Sequence, residues 1–236
     1  MYKYYKIAGL NVAMKTFGTT LLQAKPYLCD FSGQADITID VDIAPMQKDH
    51  PGTDADLCEY ILTGSSFYRQ LLLFGGLRLH ASAVVVDGRA YLFTADSGVG
   101  KSTHTQLYLK QFGDRAFILN DDKPALRLEK DGWFAYGTPW SGKHDISVND
   151  RFPIAGIAVL ERGEENIIEH FSGVDMVSAI IKQVNKPKAA EYRIKLLELL
   201  DSLVTNVPIW KLKCNTNDKA VLVSYQAMSQ QKGENV

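Results

Sequence analysis

Apolar and polar positions alternate along the first part of the chain. Tyr5, Ile7, Leu10, Val12 and Met14 are spaced mostly by two, and Ile37 to Ile43 alternates cleanly, as strands with one buried face do. A polar stretch from Gln47 to Thr53 leads into a predicted helix with Leu57, Tyr60 and Ile61 on one face. Gly64 is expected to interrupt it, Ser65 to cap a second turn toward Phe74, and Gly75-Gly76 to stop it. Leu79 to Val86 and Arg89 to Ala95 read as strands joined by Asp87-Gly88, the residues a two-residue type I′ hairpin requires. A helix follows from Gly100 to Phe112, closed by Gly113. Ala116 to Leu119 is a short apolar strand running into Asn120-Asp121-Asp122. A second hairpin, Ala125 to Leu128 and Trp133 to Tyr136, is expected to turn through Asp131-Gly132. After the loop Gly137 to Asp150 comes an apolar, buried strand, Ile154 to Leu160. Helical periodicity returns at Val174 to Val184 and Glu191 to Val204, before a strand Val207 to Leu212 and a helix near Asp218 to Met228. Hairpins mixed with apolar strand–loop–helix units predict an α/β fold on a mixed sheet rather than a purely doubly wound one.

Composition narrows the class. The chain has 236 residues, 46% apolar and 22% charged, and is long enough to bury a sizeable core without staples. Lys plus Arg total 26 against 27 Asp plus Glu, a net charge of −1 that argues against a general grip on nucleic acid or anionic lipid. No apolar run approaches the roughly 20 residues needed to span a bilayer, and Met1 to Lys6 has no apolar signal-peptide core. Cys29, Cys58 and Cys214 are separate and odd in number, as thiols of a reducing compartment are. The expectation is a soluble cytoplasmic protein with no nucleic acid or membrane partner, its homo-oligomerisation left open. An N-terminal strand and helix section, residues 1–75, should pack on a core at 76–228, with a frayed polar tail at 229–236.

The chemistry concentrates in Ala95-Asp96-Ser97-Gly98-Val99-Gly100-Lys101-Ser102, a Walker A pattern with Ala in place of the first glycine. Gly98 and Gly100 let the backbone curl so that N–H groups from Ser97 to Thr103 face one anionic centre, to which the helix adds its positive end. Lys101 then reaches the outer phosphates of ATP, and the Ser102 hydroxyl ligates Mg²⁺. A glycine-rich turn before a helix is the bland alternative. The preceding apolar strand and following helix favour the phosphate loop. Asp121 and Asp122 close an apolar strand 19 and 20 residues after Ser102. One carboxylate there can serve metal while its neighbour faces an acceptor hydroxyl; the alternative is a polar turn, which Asn120 and Pro124 also suit. The hairpin register sets His80 opposite Ala95, beside the loop, where it is either a phosphate partner or a structural histidine.

Taken together, His80, Asp96 to Ser102 and Asp121-Asp122 resemble the catalytic domain of HPr kinase/phosphorylase and, more distantly, ATP-type phosphoenolpyruvate carboxykinases. The resemblance covers roughly Leu79 to Leu160. It implies a mixed-sheet P-loop domain of that type with an N-terminal β-rich section, and phosphate transfer from ATP to a serine hydroxyl. It assigns Asp121 as base and Asp122 to Mg²⁺, an order that could be reversed. The long separate N-terminal domain of bifunctional HPr kinases is missing, as is their glycine-rich signature, where this chain has Gly137-Thr138-Pro139-Trp140-Ser141-Gly142-Lys143-His144. The closer likeness is to short HPr-kinase-like proteins, some associated with modified peptides. A protein or peptide acceptor is therefore expected, with a small-molecule kinase, a nucleotide-binding regulatory module and an interaction protein with a vestigial loop as competing classes. The chain's length, and the lack of an arginine cluster for a dicarboxylate, demote a carboxykinase. Lys143, Arg151 and Arg162 are candidates to neutralise the transferring phosphoryl group, Lys143 foremost, against solvated surface charges. His104, beside Thr105 on the loop's helix, is expected to be exposed. Trp133, Tyr136 and Trp140 could stack a base, with core packing expected for at least two.

Overall fold

The computed structural model describes residues 1–230. β1 (Lys3–Ile7) and β2 (Leu10–Met14) form a hairpin. Ala8 and Gly9, both at positive φ, supply its two-residue turn. Helix α1 (Gly18–Gln23) follows, and β3 (Ile37–Ile39) then pairs parallel to β2. The alternation of inner and outer positions continues to Ile43, but strand pairing ends at Ile39, and helix α2 (Ala44–Asp49) follows with Pro45 in its first turn. Asp42 Oδ1 accepts from the Ala44 N–H at its start.

Helix α3 (Ala55–Leu71) runs unbroken through Gly64. Glycine is there because Trp140 lies against it: a Cβ would meet the indole Cδ1 at 3.0 Å. Its buried face is Cys58, Phe67, Tyr68 and Leu71, whereas Leu57 and Ile61 of the expected face are exposed. Gly75, at φ +72, ends the 3₁₀ turn Leu72–Phe74. Gly76 opens β4 (Gly76–Arg78) rather than closing a helix.

β5 (Ala81–Val86) and β6 (Arg89–Thr94) pair through Asp87-Gly88, both at positive φ, in the expected type I′ geometry and register. The strand expected over Leu79 to Val86 begins at Ala81, and β4, which precedes it and pairs with β8, was not expected. Then come α4 (Lys101–Phe112), β7 (Ala116–Asn120), β8 (Ala125–Glu129) and β9 (Gly132–Tyr136). The β8–β9 turn is Lys130-Asp131, because Gly132 pairs with Glu129. β10 (Arg151–Arg162) outruns its predicted span, and β11 (Ile167–His170) had no counterpart in the sequence pattern. Helices α5 (Gly173–Lys182) and α6 (Ala190–Asn206), strand β12 (Ile209–Cys214) and helix α7 (Lys219–Ser229) complete the fold. Ser229, placed in the expected tail, closes α7; residues 231–236 of that tail lie outside the described residues.

The larger sheet has nine strands in the order β4-β8-β9-β10-β6-β5-β7, with β12 also on β10 and β11 on β12. β10 joins its parts, pairing antiparallel with β9 and parallel with both β6 and β12. The fold is thus α/β with mixed sheets. Ala83, Val85 and Leu92 pack on the α5–α6 side, Val84, Val86, Tyr91 and Phe93 on the α4–α7 side. Burial on both faces is why these strands read as continuous apolar runs. A third cluster joins β1–β3 and α3 to Ala125, Tyr136 and Trp140 of the larger sheet's side. Among the described residues no helix is long and apolar enough to cross a membrane.

Candidate active site

The segment from Ala95 to Gly100 links the end of β6 to the start of α4. Gly98 and Gly100 take φ +81 and +128, conformations that L side chains rarely adopt, whereas Ala95 has no positive φ and is buried. Lys101 is buried at the head of α4, its Nζ donating to the Ala95 carbonyl at 3.0 Å. Burial pushes its pKa down, opposed by the charges of Asp122, Asp96 and Asp121. His104, Thr105 and Tyr108 continue the buried face of α4 at helical spacing.

His80 and Ser82 stand two residues apart and so share one face of the chain. Their partners are consecutive. Ser82 Oγ donates to Asp121 Oδ1 at 2.7 Å, and His80 Nε2 lies 3.3 Å from Asp122 Oδ1. Asp121 is 6% exposed, and Thr105 Oγ1 supports Ser82 from α4 at 2.9 Å. Burial pushes the Asp122 pKa up, but hydrogen bonds from His80 and Lys123 outweigh it and hold the carboxyl well below the ordinary value. His80 Nδ1 is 3.1 Å from Gln183 Oε1, and Gln183 Nε2 donates to Asp96 Oδ1 at 3.0 Å. Asp96 fixes the Gln183 amide, so both His80 nitrogens face acceptor oxygens.

One cavity of about 700 Å³ is lined by His80, Lys101, Ser102, Asp121, Asp122 and Lys143. Lys143 is on its exposed rim, in a loop that comes close to the acid pair: Gly142, at φ +80, would set a Cβ 2.8 Å from that of Asp122. The Gly142 N–H donates to the Tyr60 hydroxyl at 3.0 Å. Thr19, Asp54, Leu57 and Tyr60, from the N-terminal section, form the cavity's far wall.

Other expectations change. His104 is not exposed: it is 3% accessible, and burial lowers its pKa to about 4. Arg151 pairs with Glu129 and covers the Phe134 ring, outside the cleft. Arg162 donates to the Gly98 and Val99 carbonyls instead of facing the acids. Trp133, Tyr136 and Trp140 are all core residues, Trp140 stacked on Phe67 at 4.9 Å. Gln183, Ser82 and Tyr60 were invisible as site residues. Gln183 lies 103 positions from His80, and no local spacing signals it.

Ser102, Asp121 and Asp122 present hard oxygen donors to one cavity, a set that suits Mg²⁺ sharing its shell with phosphate and water. Among the described residues no group of three or more His, Cys, Asp or Glu could hold a metal by itself.

No family model matches the chain, and no curated protein does. Among solved structures it is similar to the Hpr(Ser) kinase/phosphatase from Coxiella burnetii, with 12% identity and a TM-score of 0.38 over 64% of this chain and 93% of that one.

Proposed function

We propose that the chain is an ATP- and Mg²⁺-dependent kinase that transfers the γ-phosphate to a hydroxyl, a serine of a protein or peptide. The observation that carries the reading is the single cavity shared by the Ser97–Thr103 loop, the acid pair and His80. The loop's N–H groups and Lys101 hold the phosphates, and Lys101 offsets charge developing on the transferred group. Mg²⁺, held by Ser102 and Asp122, would neutralise phosphate charge.

The acceptor oxygen attacks the γ-phosphorus as the bond to the ADP oxygen breaks. Its proton passes to Asp121, whose buried carboxylate is oriented by Ser82. His80, tied to Asp122 and through Gln183 to Asp96, holds the acid pair in register with the loop. An ATPase or a sensor needs no acceptor space, yet the cavity continues past the loop to Asp54, Leu57 and Tyr60, and its rim residues Asp54, Leu57 and Lys143 are exposed. A serine on an extended segment can reach such a cleft from outside.

The test is Asp121→Asn, followed by ADP release and by labelled phosphate on serine-containing peptides. Turnover should fall on the order of 10²-fold or more, with ATP affinity largely kept. Wild-type turnover in that variant removes Asp121 as base. A wild-type protein that binds ATP and never forms ADP is a regulatory module instead.

A further inference from the structure

From β4 into β5 the side chains alternate between two faces. Leu77, Leu79, Ala81 and Ala83 belong to the core cluster on the α5–α6 side. Arg78, His80 and Ser82 fall between them and take the opposite face. Ser82 and His80 are engaged by Asp121 and Asp122. Arg78, next in that row, has no such acid. Among the described residues its guanidinium has no hydrogen-bond or ion-pair partner, and Nε is buried in that state. Of its three nitrogens only Nε is closed off, so the two Nη nitrogens are open donors. A half-buried guanidinium left without an acceptor is costly, and a ligand that supplies one accounts for it.

Arg78 lines a neighbouring cavity of about 310 Å³ with Leu57, Tyr60, Ile61, Lys123 and Asn185. Leu57, Tyr60 and Lys123 also line the cavity of the acid pair, so the two adjoin along α3. No carboxylate lines the smaller one. Its other cation is taken: Lys123 Nζ pairs with Asp122 and lies 5.5 Å from the Tyr60 ring centre. One unmatched positive charge remains, on a planar fork whose geometry a single carboxylate fits. Leu57 and Ile61 are large apolar side chains left exposed beside it. The methylenes of an acidic side chain can lie along them, a contact that free phosphate cannot make.

We propose that this cavity is an acceptor subsite for a carboxylate, the Asp or Glu side chain of a peptide whose serine enters the larger cavity. The proposal rests on the kinase reading and adds a sequence preference to it. Strand rise sets Arg78 about 7 Å from His80 and about 13 Å from Ser82, the span of two to four residues of an extended peptide. Arg78 selects the acceptor and takes no part in the transfer itself.

The test uses peptides acetylated and amidated at their ends, so that one side chain is the only carboxylate. Each has one serine and one Glu two, three or four residues away on either side, and each is compared with its Gln counterpart. Wild type should label at least one Glu peptide with kcat/KM about tenfold or more above its counterpart, as one charge-assisted hydrogen bond provides. Arg78→Gln should lose that preference, label the Gln peptides as wild type does, and keep the rise in melting temperature with Mg-ATP. Equal labelling of every Glu and Gln pair by wild type overturns the proposal and leaves the kinase reading standing. So does a preference that survives Arg78→Gln, or a variant that loses the Gln peptides equally, which would make Arg78 structural. Calorimetric titration with inorganic phosphate is the second measurement. Phosphate binding to wild type that Arg78→Gln abolishes, without any Glu preference, assigns the cavity to a free anion and also overturns the proposal. If wild type labels none of the peptides, the kinase reading fails and this proposal with it.

Discussion

Lys101 is an ammonium that burial disfavours and three nearby carboxylates sustain. Lys101→Ala removes the group that would meet the phosphates while leaving the α4 core face, His104, Thr105 and Tyr108, intact. The expected outcome is a folded protein whose melting temperature no longer rises with Mg-ATP; equal stabilisation of variant and wild type would displace the site from this loop. His104 makes a second prediction. Its pKa is about 4 in the folded protein, depressed by burial, against 6.5 when unfolded. Between those values the unfolded chain binds more protons, so stability is complete above pH 6.5 and falls as the pH drops toward 4. The loss amounts to about 3 kcal/mol over that window. Urea denaturation at pH 7 and pH 4.5 should show it in wild type and not in His104→Phe, and parallel profiles would remove His104 as the cause. Lys101 and Ser102 were legible because the Walker A pattern is contiguous in the sequence. His104 was misread because one helical face reads as buried only once α7 is seen to cover it.

At the scale of elements, Gly64 shows how a residue can carry two opposite meanings. By propensity it breaks a helix; in the fold it admits the Trp140 indole against an unbroken α3. Gly64→Ala therefore gains helix propensity of up to about 1 kcal/mol. The added Cβ, 3.0 Å from Trp140, is expected to cost more, on the order of 1–3 kcal/mol as overpacking does. A net loss in chemical denaturation is the predicted sign, and a more stable variant would show that Trp140 can yield. The β5–β6 hairpin was readable down to its register, since Asp87-Gly88 fixes the turn and the turn fixes every pair beyond it. The start of β5 at Ala81 rather than Leu79 was not. Leu79 bridges Val184, and the His80 N–H donates to the Gln183 carbonyl at 2.8 Å, partners that come from a segment about a hundred residues away.

Across the whole molecule, the N-terminal section and the larger sheet share one aromatic cluster, with Phe67 and Tyr68 of α3 against Trp140. Trp140 is fully buried and its Nε1 donates to Thr63 Oγ1 at 3.2 Å. Trp140→Ala is expected to cost about 3–5 kcal/mol and to lower the midpoint of a single unfolding transition. Two separate transitions in the variant or in wild type would mean that the two sections fold independently. The sequence by itself determined the α/β class, the strand–loop–helix at Ala95 to Phe112, the acid pair at a strand end and a histidine in register with the loop. Each of these follows from short-range spacing, turn chemistry or the period of two and 3.6. Only the tertiary structure decided which side chains hold that histidine, that Ser82 orients Asp121, and that α1 and α3 wall the cleft. It also turned Arg162 to the back of the loop and buried the tryptophans. Those outcomes depend on contacts between segments remote in the chain, which the packing of the sheet's two faces selects and no local pattern encodes.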